Sequence, residues 1–275
     1  MPVFKLVLFE VVVKQVLWVM SLLVGCLSVF FTGDALGNDA CVNKCTFVLK
    51  NEKTQAYTVM NEKRANTAFT PYSTFKIANT LIAIETGVVK NLQQKLSFNR
   101  EKYTIEKWWP SIWYEAPLPI RTAFQRSAVP IYQEIAMQIG EPNMQRYLNG
   151  FHYGNADISS GLDTFWLNGS IKISAKEQVE FLQRLFNKQL PIADSTLALF
   201  KGIMLVEETE EYKLYAKTGG GGIKKGAAIG WYVGVVEKAD NRYYFAVNIE
   251  ERSFKALQKK RIDVARAALK KAGVL

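Results

Sequence analysis

Between Pro71 and Gly87 the chain reads Pro-Tyr-Ser-Thr-Phe-Lys-Ile-Ala-Asn-Thr-Leu-Ile-Ala-Ile-Glu-Thr-Gly, which predicts a helix apolar on nearly every side. Phe75, Ile77, Ala78, Leu81, Ile82, Ala83 and Ile84 leave it almost no face for water, and a helix of that kind belongs in a protein interior. Any fold this chain adopts must therefore be built around it. Pro71 marks the start and Gly87 the stop. Two reactive groups interrupt the apolar surface, Ser73 and Lys76, and a spacing of three puts them on one face. Burial disfavours the ammonium form of lysine, leaving an amine able to act as a base or to react further. Backbone N–H groups of the first turn can also help to hold a developing negative charge. The plainer reading makes Ser73 a helix cap and sends Lys76 outward. Ser-x-x-Lys is a common tetrapeptide, so the choice depends on the motifs that accompany it further along the chain.

Around this helix the chain sorts into strands at both ends and helices in the middle. Residues 45–50 and 56–60 predict two strands about a turn at Asn51-Glu52-Lys53. Residues 88–125 are irregular, rich in aromatics (Trp108, Trp109, Trp113) and interrupted by Pro110, Pro117 and Pro119. Helices are predicted over 131–139 and 144–149, and Asn168-Gly169-Ser170 is a turn. Ser174 and Glu177 fit a capping box that opens a helix with Val179, Leu182, Leu185 and Phe186 inward. Strands are predicted at 212–217, 227–237 and 242–249, and a last helix at 254–271. The implied fold class is α+β. An antiparallel sheet drawn from both termini (about 41–68 and 200–275) is flanked by helices, with a helical part (about 69–199) inserted. At 275 residues and 49% hydrophobic, the chain can bury the core this needs.

The first 32 residues differ in kind. Lys5 and Lys14 precede an uncharged apolar run from Val16 to Gly33, which predicts an export signal and leaves 33–275 as one mature domain. Leu23-Val24-Gly25-Cys26 resembles a bacterial lipobox, so a lipid anchor at Cys26 is one expected outcome. Ordinary cleavage within 35–40 is the other, with an uncleaved anchor third. Either of the first two implies the periplasm or cell envelope. There oxidation of Cys41 and Cys45 is allowed, although their spacing does not require that they pair. A zinc site is not expected, because His152 is the single histidine and no Cys-x-x-Cys is present. The net charge of +10 does not call for nucleic acid: many of the lysines fall on the last helix beside an apolar set, as on any solvated amphipathic face.

A Ser-His-Asp triad would depend wholly on His152, and there is no P-loop or dinucleotide fingerprint. Serine chemistry then needs its base from lysine or a carboxylate, which returns attention to Lys76. Ser127-Ala128-Val129 stands just before a predicted helix. Lys217-Thr218-Gly219 ends a predicted strand whose following glycines leave its edge open, and Arg261 lies on the helix that should cross the same sheet. Singly each has a dull explanation. The succession Ser-x-x-Lys, Ser-x-Val, Tyr-Gly-Asn, Lys-Thr-Gly does not.

With Pro-Tyr-Ser-Thr-Phe-Lys at 71–76, Ser-Ala-Val-Pro at 127–130, Tyr-Gly-Asn at 153–155, Phe-Trp-Leu at 165–167 and Lys-Thr-Gly at 217–219, the chain resembles the class D (oxacillin-hydrolysing) serine β-lactamases of the penicillin-binding-protein superfamily. The resemblance runs from about Cys45 to Leu275. It implies hydrolysis of a small-molecule β-lactam, resistance to such antibiotics, and no cofactor beyond CO2 or bicarbonate. Ser73 would be the nucleophile, and Lys76, carbamylated by CO2, the general base. Trp166 would hold the carbamate, with Val129 part of the apolar wall that keeps the amine uncharged. Ser127 would relay a proton to the departing nitrogen, with Lys217 tuning the local potential. The backbone N–H groups of Ser73 and Gly220 would form the oxyanion hole, and Thr218 and Arg261 would receive the substrate carboxylate. Tyr153, Gly154 and Asn155 would be structural. Tyr72 replaces a small residue and need not face the site, while Gly220 replaces a bulkier residue and would widen the cleft. The alternatives are a β-lactam sensor domain acylated without turnover, which would bring membrane spans and a His-Glu-x-x-His segment, and a small penicillin-binding protein, which would carry Ser-x-Asn at 127–129. A non-enzymatic basic binding protein requires the motif order to be coincidence.

Overall fold

Alternation with a period of two gives the C-terminal strands two apolar faces. Along Arg242–Glu251, Tyr244 and Ala246 point into one cluster while Phe245, Val247 and Ile249 point into another, so the sheet is buried on both sides. The computed structural model describes residues 43–223 and 226–275, all within one unit, Phe31–Leu275. The expected export signal, Cys26 and Cys41 lie outside the described residues; Cys45 is disulfide-bonded.

The main sheet contains β1 (Cys45–Asn51), β2 (Tyr57–Met60), β5 (Leu205–Glu208), β6 (Lys213–Gly222), β7 (Ala228–Glu237) and β8 (Arg242–Glu251). Its order is β2-β1-β8-β7-β6-β5, antiparallel throughout, so the N-terminal hairpin adds to the C-terminal strands as the sequence implies. Two-residue strands β3 (Lys95–Leu96) and β4 (Leu118–Pro119) pair separately. The helices are α1 (Glu62–Ala65), α2 (Lys76–Glu85), α3 (Ile120–Gln125), α4 (Val129–Ile139), α5 (Glu141–Phe151), α6 (Ala175–Phe186), α7 (Asp194–Met204) and α8 (Phe254–Lys271). Helix α8 covers one face with Leu257, Ala265 and Leu269, and α2, α4 and α6 lie on the other. Residues Ile77 to Ala83 of α2 are all buried, as its composition requires. The box at the start of α6 closes both ways: Glu177 N donates to Ser174 Oγ at 3.2 Å, and Ser174 N to Glu177 Oε2 at 2.7 Å.

The pattern underreads the chain in three places. Helix α3, expected to be irregular, is six residues long and too short to show a helical period; it is held by Phe124 meeting Phe200 of α7 edge-on at 5.9 Å. Helix α7 and strand β5 carry no alternation distinct from their neighbours. The third correction bears on the site. Strand β6 does not end at Gly219 but pairs with β7 as far as Gly222 opposite Ala228. On its other side it meets β5 only up to Tyr215. The free edge beyond faces a 3-10 turn, Tyr72–Phe75, that leads into α2.

The glycines let backbone reach backbone there. A Cβ on Gly219 would lie 2.7 Å from the Pro71 carbonyl oxygen, and one on Gly221 2.1 Å from the Tyr72 ring. Tyr72 is itself in the left-handed region, φ 49°, and its hydroxyl donates to the Gly222 carbonyl at 3.3 Å. A Gly221→Val protein is therefore expected to lose about 1–3 kcal/mol of stability through overpacking, read as a lower urea midpoint. An unchanged midpoint would mean that Tyr72 swings away freely.

Candidate active site

The 3-10 turn and the first turn of α2 deliver Ser73 and Lys76 together. Lys76 Nζ donates to Ser73 Oγ at 3.4 Å, and Lys76 is fully buried. Burial lowers its amine to about 7, which brings the neutral form within reach near neutral pH. The outward-pointing alternative for Lys76 is thereby excluded.

Behind the pair stands an aromatic block. Phe75 stacks on Trp166 at 5.2 Å and meets Phe165 and Tyr153 edge-on at 4.8 and 5.7 Å. Trp166 is fully buried, yet its indole Nε1 has no hydrogen-bond partner. A buried donor without an acceptor costs stability, and an anionic oxygen placed there would satisfy it. The Tyr-Gly-Asn segment holds the loop that carries this indole. Asn155 Nδ2 donates to the Ser170 carbonyl at 2.9 Å, and Asn155 Oδ1 accepts from Lys172 N at 2.8 Å. Gly154, at φ 53°, lets the chain press against the Lys172 carbonyl, where a Cβ would come within 2.0 Å. His152 is exposed and caps α5.

Across the cleft, Ser127 also occupies the left-handed region (φ 56°), a strained backbone of the kind found where a side chain must be aimed. Lys217 Nζ donates to Ser127 Oγ at 2.5 Å and to the Thr218 carbonyl at 2.8 Å. Burial drives the Lys217 amine well below its ordinary range, and repulsion from Lys76 and Arg261 adds to this. Arg261 reaches through from α8, its Nη1 donating to the Gly219 carbonyl at 2.5 Å while its Nε has no partner. Burial lowers it to about 10, still charged at neutral pH. The space a Cβ on Gly220 would take is held by Arg261 Nη1, 2.8 Å away, and by the Ile229 carbonyl. The missing side chain therefore makes room for the guanidinium, which corrects the expectation that Gly220 widens the cleft.

Ser73, Ser127, Val129, Thr218, Gly220 and Arg261 all line one cleft of about 920 Å³. Tyr72 lines it too, contrary to the expectation that it need not face the site. Lys76 and Lys217 are buried behind it, hydrogen-bonded to the lining Ser73 and Ser127, and Trp166 is buried next in the chain to the lining Leu167. The basic side chains of Lys76, Lys217 and Arg261 converge, Arg261 carrying the charge, and no Asp or Glu is among the lining residues, so the cleft suits an anionic ligand and supplies no carboxylate base of its own.

The chain is similar to known proteins in sequence and in fold. The penicillin binding protein transpeptidase domain matches residues 45–271. Beta-lactamase OXA-5 of Pseudomonas aeruginosa is 41% identical over 206 residues, 74% of this chain and 75% of its own length. The crystal structure of FUS-1 (OXA-85), a class D beta-lactamase from Fusobacterium nucleatum subsp. polymorphum, is 37% identical and superposes with a TM-score of 0.77, covering 84% of this chain and 93% of that one. The chain belongs to the class D serine β-lactamases. The regulatory protein BlaR1 of Bacillus licheniformis is 31% identical over 83% of this chain, which spans only 37% of that longer protein. A region similar to this chain thus also occurs in a longer protein named as a regulator.

Sequence motifs alone did not single out Tyr132, Thr80 or Trp113. The Tyr132 ring lies under Lys76 Nζ at 4.7 Å, and Trp113 lines the cleft. Hydrophobic helix and loop positions of this sort look like ordinary core, and only the approach of α4 to α2 gives Tyr132 a partner.

Proposed function

We propose that the protein hydrolyses the β-lactam ring of penicillin-type antibiotics through an acyl-enzyme on Ser73, with Lys76 as an N-carboxylate general base. The observation that carries this reading is the unpartnered indole N–H of Trp166, whose ring stacks on Phe75 next to the buried and lowered Lys76 amine, together with a cleft lined by no carboxylate. CO2 bound to that amine supplies a carboxylate base and an acceptor for the indole. Ser73 Oγ gives up its proton as it attacks the lactam carbonyl, and the backbone N–H groups of Ser73 and Gly220 receive the developing oxyanion. Ser127 passes its hydroxyl proton to the departing ring nitrogen, with Lys217 donating to its Oγ meanwhile. Water then cleaves the ester. Arg261 and Thr218 hold the substrate carboxylate against the free edge of β6. The same reading makes the protein a resistance determinant, exported to the periplasm or cell envelope.

Steady-state hydrolysis of a penicillin and a chromogenic cephalosporin, with and without added bicarbonate and with intact-mass detection, tests this. Sustained turnover that bicarbonate enhances is expected. The relation to BlaR1 makes one outcome decisive against it: a single stoichiometric adduct at Ser73 that never turns over would assign the protein to sensing.

A further inference from the structure

Lys76 meets a third side chain besides Ser73 and the aromatic block. Its Nζ stands 4.7 Å from the centroid of the fully buried Tyr132 ring on α4. That ring is tied back to the lysine. Thr80 Oγ1 donates to the Lys76 carbonyl at 2.7 Å, which leaves it to accept from the Tyr132 hydroxyl at 2.8 Å. Lysine backbone, threonine, tyrosine hydroxyl, tyrosine face and lysine amine form a closed circuit, so the ring cannot drift from the amine without breaking a buried hydrogen bond.

The other groups around the amine offer an ammonium little. Lys217 on β6 repels it, and Arg261 on α8 adds positive charge beyond. Its own helix carries the buried, neutral Asn79 and Thr80, and Trp166, stacked on the adjacent Phe75, carries an N–H donor. The negative face of an aromatic ring attracts a cation and repels an anion. Carbamylation converts the one into the other. The ammonium first gives one proton to water; the neutral amine's lone pair then forms a bond to the carbon of CO2, one C–O π pair moves onto oxygen, and a second nitrogen proton leaves to water, so the group passes from +1 to −1 overall.

We infer that Tyr132 is a positioning residue that holds Lys76 as the ammonium and so sets the pH at which this lysine opens to CO2. Tyr132 favours the unmodified side chain, and the unpartnered indole N–H of Trp166 favours the carboxylate. The inference rests on the reading of Lys76 as an N-carboxylate.

The test places at position 132 phenylalanine and then phenylalanines of increasing ring fluorination. These keep the shape of the ring while draining its negative face. Each full-length protein is equilibrated with 13C-bicarbonate, and the carbamate carbon is followed by NMR against pH. The half-carbamylation pH is expected to fall by about 0.5–1 unit from Phe to the trifluoro ring. Tyr132→Leu, which removes the ring, should shift it the same way. A midpoint that stays put across the series, with carbamate plainly present, overturns the role of Tyr132. No carbamate in the unsubstituted protein at any pH overturns the reading of Lys76, and this inference with it.

Discussion

A Ser73→Ala enzyme is expected to lose roughly four to six orders of magnitude in kcat/KM for a penicillin. The reason is local. Ser73 Oγ is the hydroxyl within reach of the buried Lys76 amine, at 3.4 Å, and Ser127 Oγ is engaged across the cleft by Lys217 at 2.5 Å. With the Ser73 oxygen gone, neither lysine has a nucleophile placed to form an ester. Folding should be unaffected, because among the described residues the Ser73 side chain makes no other hydrogen bond and the turn around it is held by Pro71, Thr74 and Gly219. Steady-state kinetics, a thermal unfolding scan and intact-mass analysis after exposure to substrate settle it together. Hydrolysis that survives in a normally folded Ser73→Ala protein would remove the nucleophile assignment.

Trp166→Phe should separate the two halves of the cycle. It keeps an aromatic ring against Phe75 and deletes the indole N–H. A hydrogen bond to a charged group contributes about 1.5–3 kcal/mol, so loss of the donor should cut carbamate occupancy about 10- to 150-fold. The acyl-enzyme should then accumulate, because deacylation needs the base again and no lining carboxylate can substitute for it. Because the modification follows mass action, excess bicarbonate should restore part of the rate. Burst kinetics and the acyl adduct by mass spectrometry give the readout. Deacylation at the native rate with no carbamate detectable would mean that water is activated by some other group.

Both expectations use residues that are legible in the amino-acid sequence. Ser73, Lys76, Ser127, Val129 and Lys217-Thr218-Gly219 sit in short local motifs, and their local structure is set by near neighbours in the chain: Pro71 before the turn, apolar residues along α2, the strand before Lys217. The antiparallel sheet with strands from both ends is legible for a similar reason, since β-branched and aromatic runs show at short range. Helix α7 and strand β5 are not, because neither differs in pattern from the residues that flank it.

What the sequence determined by itself is the chemistry: a serine and a lysine on one face of a helix that must be buried, and hence an amine held near neutrality. The meeting of distant segments was decided only in the tertiary structure. Arg261 fills the place of the side chain that Gly220 lacks, Tyr72 closes over Gly221, and the Tyr132 ring comes under the Lys76 amine. Each of these is a contact between segments more than fifty residues apart or on different elements, made by packing and not by local preference. A one-dimensional pattern carries which face of an element is apolar; it does not carry which neighbour that face will find.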